Sequence, residues 1–244
     1  MLRPQTPEHP DPLGEQLVSL AAAIERAEVK GENGNPGSFA FPSEAAFFID
    51  FASLHQKDAD GKRTPDEATA FGAALSGMQV WYAHPLATAF LTRSLPAGYE
   101  SVPGYAERGW PTCESSWAAL AKASRTVSWA PIFDVVASKP YTRPPPMAPA
   151  AMARLVASKR FTSKKGDLPM VIELNTRTIL SLFGSVTELG YGSLGWGDVE
   201  VAQLCEVLPF CKSVKTLQLY QNKIRNAGLK AFSEAIASGA LAQL

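Results

Sequence analysis

Residues 214–239 read VKTLQLYQNKIRNAGLKAFSEAIASG. Leu217 and Leu219 alternate as on a short strand with one buried face, and Ile224 returns to the same side after a turn. Asn222 stands where an asparagine side chain can bond the turning backbone. Gly228 permits a tight start to a helix carrying Leu229, Phe232 and Ile236. The preceding stretch, VTELGYGSLGWGDVEVAQLCEVLPFC at 186–211, has the same pattern 28 residues earlier. It lays Leu189 on Leu217, Trp196 on Ile224, Asp198 on Asn226, Leu204 on Phe232 and Leu208 on Ile236. A constant offset of this size predicts two strand–turn–helix units, with Leu189 and Leu217 on adjacent parallel strands. The earlier copy is degenerate, because Leu194 replaces the asparagine and Val199 or Glu200 falls where the glycine should be.

The second copy, LQLYQNKIRNAGLKAF, resembles the ribonuclease-inhibitor class of leucine-rich repeat, whose pattern is LxLxxNxIxxxGxxxL. The resemblance implies that residues 186–244 are a partial leucine-rich repeat α/β solenoid framed by Leu189, Leu217, Leu219, Asn222, Ile224 and Gly228. It also implies a protein partner held on the concave repeat surface. Because ASGALAQL ends at Leu244 just as another strand should begin, and about three units are needed for a stable stack, the chain reads as a fragment with an exposed sheet edge.

Upstream, LGEQLVSLAAAIERAE has Leu13, Leu17, Leu20, Ala21 and Ile24 at helical spacing. AAFFIDFASL at 45–54 is a short apolar run suited to a strand buried on both faces. Thr64, Pro65 and Glu67 form a capping box ahead of a helix with Phe71, Ala74, Leu75, Met78 and Tyr82 on one side. LATAFLTRSL at 86–95 predicts a strand, and PTCESSWAALAKAS at 111–124 a helix that turns Trp117 and Leu120 inward. The alternation of helix and strand points to parallel strands joined by crossovers. The five prolines of 140–149 make residues 140–150 the expected linker between a 13–139 α/β domain and a 151–185 helical adaptor or cap. That adaptor divides into helices at MARLVASKRF and LPMVIELNTRTILSLF, separated by the polar loop TSKKGD. Lys159, Arg160, Lys164 and Lys165 read as a solvated face.

Residues 13–124 resemble the order of elements in TIR and heterokaryon-incompatibility domains. The features that carry the resemblance are an acidic strand end at Asp50, a helix ending in Tyr82 and Ala83, and Trp110 with Glu114 opening the next helix. It implies a flavodoxin-like (TIR-like) parallel-sheet domain that lacks its first strand, since only the polar residues 1–12 precede the first helix. Cys113 and Pro111 depart from the family's Trp-Cys-x-x-Glu arrangement. By the same resemblance Glu114 matches the glutamate that in NAD-cleaving members contacts the nicotinamide riboside, where a carboxylate stabilises a developing oxocarbenium ion. NAD is then a substrate, and no cofactor is implied. Placed in the first turn of its helix, Glu114 also reads as a residue favoured by the helix dipole. Asp50 reads either as a ligand group at a strand's C-terminal end or as a turn acceptor. Ser53, His55 and Gln56 could line a pocket, Trp110 would border it, and Arg108 is placed to pair with Glu114 or with a phosphate. A silent assembly module that self-associates is the remaining alternative for this half.

Composition narrows the field. Among 244 residues, 23 basic and 23 acidic side chains cancel, which argues against nucleic acid or a membrane surface as partner. With 46% hydrophobic residues the chain can bury a core. Three scattered cysteines suit a reducing, cytoplasmic setting and supply neither a disulfide framework nor a metal site. Neither a serine–histidine–aspartate order nor a phosphate-cradling glycine loop is present.

Overall fold

The computed structural model describes residues 11–32, 46–94, 103–120, 122, 132–136 and 141–242. Strand β3 (Glu188–Gly190) runs parallel to β4 (Thr216–Gln218), and Leu189 stands opposite Leu217. Helices α7 (Asp198–Cys205) and α8 (Asn226–Ala237) follow their strands at the same distance. The turn is repeated as well: Ser193 and Gln221, 28 residues apart, both take the left-handed backbone conformation at φ 57° and 53° and are hydrogen-bonded through their side chains at 2.6 Å. Asn222 joins the units. Its Oδ1 accepts from the amides of Leu194 and Trp196 at 3.1 Å, and its Nδ2 donates to the carbonyls of Tyr191 at 2.7 Å and Leu219 at 3.0 Å. The degenerate first copy therefore borrows the asparagine of the second. Asp198 works in the other direction, with Oδ1 accepting from the Arg225 amide at 2.7 Å ahead of α8. Gly228 is required there, because a Cβ on it would lie 2.7 Å from the same oxygen.

Two helices precede the paired units. Pro149 opens α5 (Pro149–Ala157), as suits a residue with no amide to satisfy at a first helical position. Helix α6 (Lys164–Ser185) begins inside the expected TSKKGD loop, whose polar residues form its first turn, and it continues through Pro169. It buries Val171, Leu174, Asn175, Thr178, Ile179 and Phe183 on one side. Arg160, Lys164 and Lys165 lie exposed, and Lys164 Nζ closes on the Ala157 carbonyl.

Residues 141–148 carry neither helix nor strand, as their prolines require, yet they are packed in place. The carbonyls of this stretch accept from side chains of the first repeated unit: Trp196 Nε1 donates to Arg143 O at 2.8 Å, and Gln203 Nε2 donates to Pro145 O at 3.0 Å. Arg143 is itself buried, donating to the carbonyls of Lys122 and Gly190 while its guanidinium lies 4.8 Å from the Tyr191 ring. Tyr191 in turn donates its hydroxyl hydrogen to the Leu120 carbonyl. The segment expected as a linker is thus a strap, and one apolar core runs past it from Trp117 and Leu120 through Met152 and Phe183 to Tyr191, Trp196 and Leu204.

In the amino-terminal half, α3 (Pro65–Ala83) starts with the expected capping box, Thr64 Oγ1 accepting from the Glu67 amide and Glu67 Oε2 from the Thr64 amide. Strand β1 (Ala89–Leu91) pairs in parallel with β2 (Ile132–Asp134), a strand not anticipated from the sequence. Helix α4 (Gly109–Ala119) buries Trp117 completely, with Nε1 bonded to Asn175 Oδ1 at 3.2 Å. The strand expected at 45–54 is not formed. Residues 46–49 join no ladder, and α2 (Asp50–Ser53) is a single helical turn whose Ser53 Oγ accepts from the Ile49 amide. Helix α1 (Glu15–Glu32) is present, with Asp11 accepting from the Gln16 and Leu17 amides at its start. It buries Gln16 and Ala23, half-buries Leu20 and Ile24 and leaves Leu13, Leu17 and Ala21 exposed, so only part of the expected apolar stripe is covered. Among the described residues the amino-terminal sheet has two strands, and no helix is long and apolar enough to cross a membrane.

Asn222→Ala removes four hydrogen bonds and strands two amides and two carbonyls in a half-buried turn. Urea unfolding is expected to show a loss of roughly 2–4 kcal/mol, and Asn222→Asp, which keeps the acceptor but loses the donor, should recover little of it.

Candidate functional site

Two arrangements carry chemistry. The first is a polar cluster under α4. Arg108 is held at its edge by a short parallel bridge: the Gly109 amide donates to Arg160 O and the Arg160 amide to Glu107 O, each at 2.8 Å. Glycine is needed at 109 because a Cβ would fall 1.9 Å from the Phe161 ring. This anchorage lets α4 start at Gly109, earlier than expected, and puts Glu114 in the second turn instead of the first. There the helix dipole no longer favours a negative charge on Glu114. Its side chain is 2% exposed, and Oε2 has no hydrogen-bond partner among the described residues.

Burial pushes the Glu114 carboxyl up to about 8, the charge of Asp50 adds to the shift, and Arg108 opposes it. Burial also raises the phenols of Tyr82 and Tyr105, with the Glu114 charge next in effect. Arg108 is lowered by burial and restored in part by Glu114, Asp50 and Tyr105. Buried Cys113 is raised as well, which removes it as a nucleophile. At neutral pH Glu114 is chiefly a neutral acid, able to donate a hydrogen bond or a proton.

Of the residues singled out from the sequence, Asp50, Arg108 and Glu114 come within electrostatic reach of one another, together with Tyr82. Ser53 does not join them; it is exposed and turned to its own helix start. His55 is exposed beside Glu67 at 3.8 Å, and Gln56 bonds the Leu54 carbonyl. Trp110 is half-buried against the main core. Tyr105, in a short 3-10 turn at Tyr105–Glu107, is the member that sequence reasoning missed, since no periodic spacing relates it to Glu114. No group of three or more metal-ligating side chains is present among the described residues.

The second arrangement is the open face of β3 and β4. Gln218 Nε2 donates to Glu188 Oε1 at 2.8 Å across the strands, and Ser193 and Gln221 continue the row. Tyr220 is 52% exposed and lies flat over Gly192, where a Cβ would approach the ring to 2.5 Å. No family model, curated protein or solved structure matches the chain. The face combines one rigid aromatic ring with adaptable amide, hydroxyl and carboxylate groups, a composition suited to protein recognition.

Two buried groups give the protein a distinctive pH profile. Between the ordinary glutamate range and about 8, the folded chain holds a proton on Glu114 that the unfolded chain has released, so stability falls as pH rises across that interval. Burial depresses the Lys122 ammonium to about 7, so between there and the ordinary lysine range the folded chain has released a proton that the unfolded one keeps, and stability recovers with rising pH. Urea midpoints should pass through a minimum between these two values. Glu114→Gln should flatten the acid limb and Lys122→Met the alkaline limb; a wild-type profile that is level throughout contradicts both assignments.

Proposed function

We propose that the chain recognises a protein partner through the strand face of two stacked leucine-rich-repeat units, and that its amino-terminal half is a TIR-like assembly module of a cytoplasmic signalling or sensor protein. The observation that carries the reading is the parallel pairing of Leu189 with Leu217, fastened by Asn222, which sets Glu188, Gln218 and Tyr220 side by side. Buried, unpaired thiols at Cys113 and Cys211 suit the reducing compartment. Self-association of the amino-terminal half is supported by an exposed aromatic pair, Phe48 and Trp81, stacked at 5.9 Å beside exposed Phe47 and Val80.

Tyr220 is the expected hot spot. Tyr220→Ala should weaken partner binding by roughly 30-fold or more, read by calorimetry or surface resonance on the partner identified with the wild-type chain, without moving the melting temperature. Equal binding by the variant refutes the strand-face reading.

A second reading, NAD cleavage, is favoured by the meeting of Glu114, Asp50 and Arg108. In it the ribosyl–nicotinamide bond breaks, nicotinamide leaves with the bonding electrons, and water completes the hydrolysis to ADP-ribose with release of a proton. Glu114 stabilises the ribosyl cation only as a carboxylate, so activity should rise with pH through about 8. Chromatographic assay of concentrated protein at pH 9 is the test. Intact NAD there removes the hydrolase, and equal turnover by Glu114→Gln removes Glu114 from its machinery.

A further inference from the structure

Charge is unevenly placed along a chain whose formal net charge is zero. From Val135 to Gly166 there is no acidic residue, while Arg154, Lys159, Arg160, Lys164 and Lys165 fall within twelve positions. All five belong to the last turn of α5, the connection after it and the first turn of α6. Lys159 is half-buried and the other four are exposed. The carboxylates that border this segment are turned elsewhere: Asp167 Oδ2 accepts from the Ser163 amide at 3.4 Å, and Glu107 Oε1 lies where a Cβ on Gly104 would come within 3.5 Å of it. Among the described residues none of the five forms an ion pair, and of their side chains only that of Lys164 makes a hydrogen bond.

Helix ends do not explain the cluster. The negative end of α5 accounts for Arg154 in its last turn and for Lys164, whose Nζ reaches the Ala157 carbonyl at 2.7 Å. It does not account for Lys165, which stands at the positive end of the 22-residue helix α6, where a cation is disfavoured. The backbone nonetheless holds these charges together. The Lys159 amide donates to Val156 O at 3.0 Å, Arg160 is bonded on both sides through the bridge to Arg108, and the Phe161 ring fills the space over Gly109. Like charges held close repel one another and lower stability, a cost that an anionic partner removes. A surface that needs only water around it intersperses acids among its bases.

We propose that the corner between α5 and α6 is a docking surface for an acidic protein segment, whose Asp or Glu carboxylates pair with Arg154, Lys159, Arg160 and Lys165. The complementarity of charge is direct: four cationic groups on a preformed frame meet carboxylates without first breaking an internal ion pair. A lipid surface suits the corner less well. No large apolar side chain is exposed on α5, and Met170 is the one exposed on the first two turns of α6, so little can enter a bilayer. Nucleic acid is disfavoured too, since Phe161, the aromatic ring between these cations, is packed against Gly109 and cannot stack on a base, and the chain has no net positive charge. The corner shares no residue with the strand face of β3 and β4, so this inference and the recognition proposed there can fail separately.

Fluorescence anisotropy of a labelled decaglutamate peptide, titrated with the 244-residue chain, is the test. Saturable binding is expected at low salt, weakening as ionic strength rises to about 0.15 M. Arg154→Glu combined with Lys165→Glu, where neither side chain has an internal bond to lose, should raise Kd by at least about tenfold at an unchanged melting temperature. Lys57→Glu combined with Lys62→Glu, at two exposed positions elsewhere, makes the same change in net charge and should alter Kd less than about twofold. Arg154→Lys should retain binding. The absence of saturable peptide binding overturns the proposal, as does equal weakening by the two double variants. Tighter binding to phosphatidylserine vesicles or to a DNA duplex than to the peptide, in the same salt, overturns it in favour of lipid or nucleic acid.

Discussion

A turn that leads from a parallel strand into a helix points its backbone polar groups away from any ladder, and each must find a partner before the leucines behind it can be sealed from water. Asn222 supplies four such partners, three of them in the unit before its own. The first unit has Leu194 where the asparagine would stand, so its turn closes only when the second unit is in place. That dependence explains why Tyr191 and Trp196 can be fully enclosed beside a turn lacking its own polar residue: the closure comes from 28 residues further along the chain.

Enclosure on the other flank comes from the strap. Proline removes amides but leaves carbonyls, so a proline-rich stretch pressed against a core needs donors from elsewhere. Trp196 and Gln203 provide them, and Arg143 satisfies carbonyls of two segments that share no sheet. Two buried basic side chains, Lys122 and Arg143, donate to backbone carbonyls; burial lowers both, and the charge of Arg143 lowers Lys122 further. The strap is thus a structural member in its own right, joining the core of α4 and α6 to the repeated units.

How much was legible depended on the range of the forces involved. The repeat was readable because its period is written in the covalent chain, and the Thr64–Glu67 box because capping is settled within four residues. Trp117 and Leu120 declared themselves by helical spacing. The apolar run at 45–54 was read as a strand, because composition alone does not reveal that Ser53 Oγ accepts from the Ile49 amide and closes a helical turn there. The start of α4 was misplaced because it is set by Phe161, about 50 residues away in sequence, through a glycine that no local rule singles out. Asp50, Arg108 and Glu114 were named together, whereas Tyr105 entered their cluster only through tertiary folding. Protonation of Glu114 was likewise invisible in the sequence, being a property of depth and not of neighbours along the chain.

The clamp between Tyr191 and Leu120, with Arg143 beside it, also bears on how the chain comes off the ribosome. The groups that receive the first repeated unit on the strap side, from the Leu120 carbonyl to the Pro145 carbonyl, are synthesised before that unit emerges. Vectorial synthesis thus delivers one half of the mould before the casting, and the first unit meets the strap before Asn222 emerges to close its turn.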